Sequence, residues 1–140
     1  MRPIYENAQT KLDETNAAQK IANFLSVSLE KQSIAYRIDY KLLSGGDHVG
    51  LLEYKRRKFT YGKYPDVMLS EHKYKEGMRL AKKHNIPFIF AVELDDGIYL
   101  AEMEKGYPVT FSGRTVQTRD KWDVENVVHV PMSKFKLMGK

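Results

Sequence analysis

One stretch restricts this chain more than any other. In Leu51-Leu52-Glu53-Tyr54-Lys55 a carboxylate and an amine, two residues apart, interrupt an apolar run that reads as a buried strand. Residues i and i+2 of a strand share a face, so Glu53 and Lys55 point one way and Leu52 and Tyr54 the other. Burying charge is costly unless it is paired, hydrogen-bonded or bound to an ion. The fold must therefore supply a partner. The segment before it, Ser33 to Leu43, alternates as a strand and carries a further acid, Asp39, within Tyr36-Arg37-Ile38-Asp39-Tyr40. Between the two lies Ser44-Gly45-Gly46-Asp47-His48, which is turn chemistry because glycine takes positive φ at little cost. Strand, turn and strand make a hairpin.

Loop length decides whether the acids meet. A three-residue loop of Gly45, Gly46 and Asp47 sets Ser44 opposite His48. Asp39 then falls opposite Glu53, and Arg37 opposite Lys55. Directly opposed residues have Cβ atoms ~4.5–5.5 Å apart, and like charges there repel, so a converging pair of carboxylates needs a cation. A two-residue loop shifts the register by one and sends the acids to different faces. Each acid interrupts an otherwise apolar strand, which favours convergence.

The rest of the chain is read around this hairpin. Asn7 to about Leu29 has helical spacing in Ala17, Ala18, Ile21, Phe24 and Leu25. Glu14 lies on the same stripe, either to serve the helix N-terminus or as a functional acid. After the hairpin, Lys55-Arg56-Arg57-Lys58 runs into Phe59, Tyr61 and Tyr64, with Gly62 and Pro65 marking a loop. Interleaved basic and aromatic residues suit phosphate contact and base stacking. Ser70 to about Asn85 reads as a second helix, with Asn85 as its C′ residue. Phe88 to Leu94 is apolar throughout, as a central strand would be. Asp95-Asp96-Gly97 turns it back into Ile98 to Met103. Strand-like content recurs from Tyr107 to Val116 and from Val127 to Met132, and Gln117 to Asn126 is polar and loop-like. Trp122, the sole tryptophan, reads as a packing anchor.

Other chemistries are excluded or unsupported. With no cysteine there are no disulfides, Cys-based zinc sites or thiol catalysis. His48, His72, His84 and His129 have no metal-ligand spacing on a helix. There is no Walker loop, GxGxxG or nucleophile elbow. No apolar run approaches the ~20 residues of a membrane span, and Met1 to Glu6 lacks the apolar core of a secretory signal. The expectation is a single domain over residues 1–140, cytoplasmic, with no membrane association. Its net charge of +5 favours an anionic partner.

The order of a helix with Glu14, a hairpin with Asp39 and Glu53-Tyr54-Lys55, a basic loop, a helix and a strand resembles the PD-(D/E)XK nuclease superfamily. That superfamily includes type II restriction enzymes and archaeal Holliday-junction resolvases. Lys63-Tyr64-Pro65, Met68-Leu69-Ser70 and His72-Lys73 are also similar to a group of small phage-encoded members. Pro65-Asp66 is not the family's dipeptide, because it follows Glu53-Tyr54-Lys55, and no proline precedes Asp39.

The resemblance implies an α/β fold with a restriction-endonuclease-like αβββαβ core. Its mixed central sheet is flanked by helices over about residues 10–103, and a β-rich C-terminal extension covers about 104–140. It implies Asp39, Glu53, the Tyr54 carbonyl and Glu14 as ligands of Mg²⁺, with Mn²⁺ as a substitute. Lys55 would orient or activate water, so that the catalytic set is Glu14, Asp39, Glu53 and Lys55. Arg37, Arg56, Arg57, Lys58 and Lys73 would hold DNA. The activity implied is a deoxyribonuclease, an endonuclease before an exonuclease, and cutting both strands would favour a homodimer. A phage-encoded member would act in the host cytoplasm. Two other readings stand beside it: a non-catalytic nucleic-acid-binding or assembly protein on the same fold, and an enzyme of another kind in which Glu53 and Lys55 form only a structural ion pair.

Overall fold

The computed structural model describes residues 4–32, 38–111 and 126–138. In chain order the elements are α1 (Ile4–Leu25), β1 (Ser28–Lys31), β2 (Tyr40–Ser44), β3 (Asp47–Arg56), β4 (Asp66–Ser70) and α2 (Glu71–His84). They continue with β5 (Phe88–Leu94), β6 (Gly97–Glu102), β7 (Val109–Phe111), β8 (Asn126–Pro131), a 3₁₀ turn (Met132–Lys134) and β9 (Lys136–Leu137). The main sheet runs β1-β2-β3-β5-β6-β9 and a smaller one β4-β8-β7. Within the main sheet β3 and β5 are parallel and the other pairs antiparallel. This is the mixed α/β architecture expected, with its C-terminal part rich in strands.

β3 is central, and its alternation sorts the molecule into two faces. Leu52 and Tyr54 join Ala17, Ala18 and Ile21 of α1 and Tyr40 and Leu42 of β2 in one apolar cluster. Leu51 joins Phe88, Phe90 and Val92 of β5, Leu80 of α2, and Val67, Leu69, Val128 and Val130 of the small sheet in the other. α1 therefore covers one face of the main sheet, and α2 with the small sheet covers the other. In the small sheet the side chains of Asp66 and Thr110 both hydrogen-bond the His129 ring, at 3.1 and 2.6 Å, tying all three strands together.

α2 sits close on the sheet because Gly77 faces Phe88. A Cβ built at Gly77 would lie 2.1 Å from the ring. The helix ends as its sequence indicates, with Asn85 in the left-handed region at φ 56° and its N–H capping α2 carbonyls.

The hairpin differs from the three-residue loop expected. Ser44 pairs with Asp47, leaving a two-residue turn whose Gly45 and Gly46 both take positive φ, 57° and 88°. Alone, that turn would separate the acids. The ladder then shifts between Leu42 and Leu43: Leu43 pairs with His48, but Leu42 with Gly50. Val49 is the extra residue of a β-bulge, and from it onward the register is the one that aligns Asp39 with Glu53. The last regular pair is Tyr40 with Leu52.

Three further expectations need correction or lie elsewhere. α1 ends at Leu25, four residues before Leu29, where Ser26 takes φ 58° and releases the chain into β1. Between the loop marked by Gly62 and Pro65 and the helix read from Ser70 lies a strand the sequence reading does not include, β4, whose Val67 and Leu69 are buried against β8. Residues 33–37, with Arg37, and Trp122 lie outside the described residues.

Candidate active site

Asp39 stands one residue before β2, where the ladder with β3 stops. Its carboxylate replaces the missing backbone acceptor: the Tyr54 N–H donates to Asp39 Oδ2 at 2.9 Å. In return, the Asp39 N–H points to Glu53 Oε1 at 3.4 Å. The two acids are thus locked to each other's strand through main-chain groups. A strand residue directs its N–H and C=O to the same side, so the Tyr54 carbonyl faces the Asp39 side as well. These contacts carry the convergence expected from the sequence, although the bulge and not a longer loop produces it.

Glu53 is the one buried charged residue among those described, with 0% exposure. Its second oxygen, Oε2, accepts from the Lys73 ammonium of α2 at 2.6 Å. Burial raises the Glu53 carboxyl and the Asp39 charge raises it further, to about 7, against the pull of Lys73 and Lys55. Lys55, on the same face two residues on, is half-buried. Burial lowers its ammonium and the Lys73 and Arg57 charges add to that, outweighing Glu53 and Asp39. Lys73 moves oppositely: burial opposes its charge, but Glu53, Asp39 and a hydrogen bond with Lys55 raise it. Two acids and two lysines therefore share one face, with Lys55 the amine closer to giving up its proton.

This arrangement predicts how stability depends on pH. An acid whose folded pKa exceeds its unfolded value stabilises the fold fully below the unfolded value, and that contribution is lost as pH rises through the folded value. For Glu53 the window runs from 4.5 to about 7. In chelator, the Tm of wild type should fall across that window relative to Glu53→Gln, and parallel Tm profiles would refute the assignment.

The remaining candidates divide. Glu14 meets other partners than Asp39 and Glu53. It lies on the α1 face, where its Oε2 accepts from Lys31 Nζ at 2.7 Å and from the Tyr40 hydroxyl at 2.8 Å. Burial works against its charge, but these partners and the Lys31 and Lys55 charges hold its carboxyl below the ordinary value. It opens on a cleft of about 500 Å³ lined in part by Ala18, Leu29, Lys31 and Tyr40. On that face the Tyr54 hydroxyl also donates to Glu93 at 2.7 Å. Arg56 braces the loop after β3, reaching Asp95 Oδ1 at 2.8 Å and the Glu93 carbonyl at 3.1 Å. The Arg57 N–H also bonds the Glu93 carbonyl, at 3.0 Å, and Lys58 is exposed. Beyond them Tyr61 stacks on Tyr99, and exposed Tyr64 meets Phe59 edge-on.

Lys73, expected from the sequence to contact phosphate, pairs instead with Glu53 in this structure. The contact depends on where α2 docks, and His72-Lys73-Tyr74 carries no local sign of it. Among the described residues no cluster of three or more His, Asp or Glu side chains gathers, and no helix is long and apolar enough to cross a membrane. No curated protein matches the chain. A family model described as "Phage putative PDDEXK endonuclease" matches residues 1–138.

Proposed function

The chain belongs to this family of phage PD-(D/E)XK endonucleases, and on that premise we propose that it hydrolyses DNA phosphodiester bonds with a divalent cation held at Asp39 and Glu53. The observation that supports this reading most is the mutual lock of Asp39 and Glu53, with Lys55 beside them on one face. The donor set fits the cation. Two carboxylates and the Tyr54 carbonyl are hard oxygen ligands, and Mg²⁺ takes one or two carboxylates and completes its shell with waters and substrate phosphate. Bound there, Mg²⁺ or Mn²⁺ would polarise a phosphodiester oxygen and lower the pKa of a coordinated water.

The chain's own groups do the rest. Asp39 and Glu53 would fix the cation relative to β3, each being tied to main chain of the facing segment. Lys55 orients the attacking water and takes its proton, helped by the burial that lowers its ammonium. Its charged form stabilises negative charge developing on the phosphate. Glu14, paired with Lys31 and Tyr40, serves as an outer acid whose charge is coupled to Lys55. Lys58, Arg57 and the exposed Tyr64 edge suit backbone and base contact, with salt-sensitive affinity. Cleavage of both strands would use two copies of the chain.

Closed-circular plasmid tests the reading, because it has no ends for an exonuclease. Nicking is expected in Mg²⁺ or Mn²⁺ and none in excess chelator. Unchanged nicking in chelator would refute the metal role. DNA binding without cleavage of duplex, single-stranded or branched DNA would favour the non-catalytic reading.

A further inference from the structure

The Glu53 carboxylate, which would hold the cation, is already paired through Oε2 with the Lys73 ammonium at 2.6 Å. Oε1 faces the Asp39 N–H, and no buried side-chain polar atom among the described residues lacks a partner. The carboxylate keeps further lone pairs, but a divalent cation and an ammonium held on the same carboxylate repel each other, so a cation binding at Glu53 works against the Lys73 pair. Lys73 is equipped to leave. It stands in the first turn of α2, whose residues begin Glu71-His72-Lys73. A cation near a helix N-terminus meets the positive end of the dipole, so the helix itself does not retain it there. Its side chain is 28% exposed, which gives the ammonium a path to solvent. An ammonium released beside a helix N-terminus adds to a place that already favours anions.

We propose that Lys73 and a divalent cation compete for the Glu53 carboxylate, and that cation binding transfers the Lys73 ammonium to a substrate phosphate. The inference rests on the metal reading above. It makes Lys73 a positioning residue that links loading of the cation to capture of DNA. A site most of whose population is closed by the ion pair has its apparent affinity lowered by the fraction that is open.

The experiment is Mn²⁺ binding to metal-stripped protein without DNA, measured by calorimetry and by electron paramagnetic resonance. Wild type is compared with Lys73→Met, Lys73→Gln and Lys55→Met; the glutamine variant keeps a hydrogen-bond donor should the methionine variant fail to fold. Both Lys73 variants should bind Mn²⁺ about tenfold tighter or more, and Lys55→Met clearly less so. In a Lys55→Met background, which stops cleavage, adding Lys73→Met should weaken DNA binding in Mn²⁺ and lower the salt slope by about one. Unchanged or weaker Mn²⁺ affinity in the Lys73 variants overturns the exchange while leaving the metal site standing. Equal tightening by Lys55→Met also overturns it, since any lost positive charge would then suffice. An unchanged salt slope removes the transfer to phosphate. Absence of Mn²⁺ binding in wild type removes the exchange and the metal reading together.

Discussion

Asp39→Asn is expected to end cleavage while leaving the fold in place. Asparagine keeps a side-chain oxygen for the Tyr54 N–H, so the 2.9 Å lock between the strands persists, but the charge that would hold the cation is gone. Asp39→Ala removes both, and an unpaired N–H at this part-buried position should cost a further ~1–3 kcal/mol of stability. Lys55→Met tests the other half of the chemistry: it keeps most of the stem volume and removes the amine. Losing a general base or a charge-stabilising donor costs about 10²–10⁴-fold in rate. Because the groups act as a unit, the Asp39→Asn, Lys55→Met double variant should be little worse than either single variant. The measurements are initial nicking rates of supercoiled plasmid in Mg²⁺ and urea denaturation of the same preparations. Nicking by either single variant at the wild-type rate would sink the assignment.

The largest effect on stability is expected at Gly77. Glycine inside a helix is ordinarily a liability, and alanine there would gain about 1 kcal/mol from propensity. Here the sign reverses. The added Cβ would lie 2.1 Å from the Phe88 ring, which is itself 1% exposed and hemmed in by β5 and the small sheet. Overpacking of a filled core costs about 1–3 kcal/mol and sometimes more, and this contact is at the severe end. Gly77→Ala should therefore lose about 2 kcal/mol net, read as a Tm lower by about 5–10 °C. Adding Phe88→Leu should return part of the loss by opening space under the helix. A Gly77→Ala protein as stable as wild type would show that α2 does not depend on this close approach. Since α2 carries Lys73, lifting the helix should also lengthen its reach to Glu53.

Much of this was legible in the chain. The two glycine turns, the Asn85 stop, the apolar β5 and the charged interruption of β3 each have a local physical cause. So does the meeting of Asp39 and Glu53, since both acids sit among apolar residues on the two arms of one hairpin, although Asp39 lies just before β2 and not within it. The expected route to that meeting was wrong in detail: the turn has two residues, and Val49 corrects for it. Bulges leave little trace in residue type, and Val49 suits a regular strand as well as a bulge. β1 escaped because Ser-Leu-Glu-Lys is short, polar and at a sheet edge, where its burial pattern says little. β4 escaped because it follows Pro65 directly, is only five residues long and ends on Ser70, which reads as a helix cap. The Lys73–Glu53 pair depends on the docking of a whole helix, which Gly77 and Phe88 set from a distance. Glu14 reads from its stripe either as serving the helix N-terminus or as a functional acid, and its partner Lys31 comes from the strand not foreseen.

The bulge at Val49 turns the meeting of the two acids into a question of parity. Each residue added to the turn, and each residue bulged out of β3, moves one strand past the other by a single step. A single step exchanges the faces. The present hairpin reaches the working alignment with a two-residue turn and one bulge; a three-residue turn with no bulge reaches the same one. Changes in the length of this hairpin are therefore tolerable only as matched pairs, a gain at the tip offset by a loss at position 49. An unmatched insertion at the exposed tip would disable the proposed cleavage as surely as removing Asp39 itself.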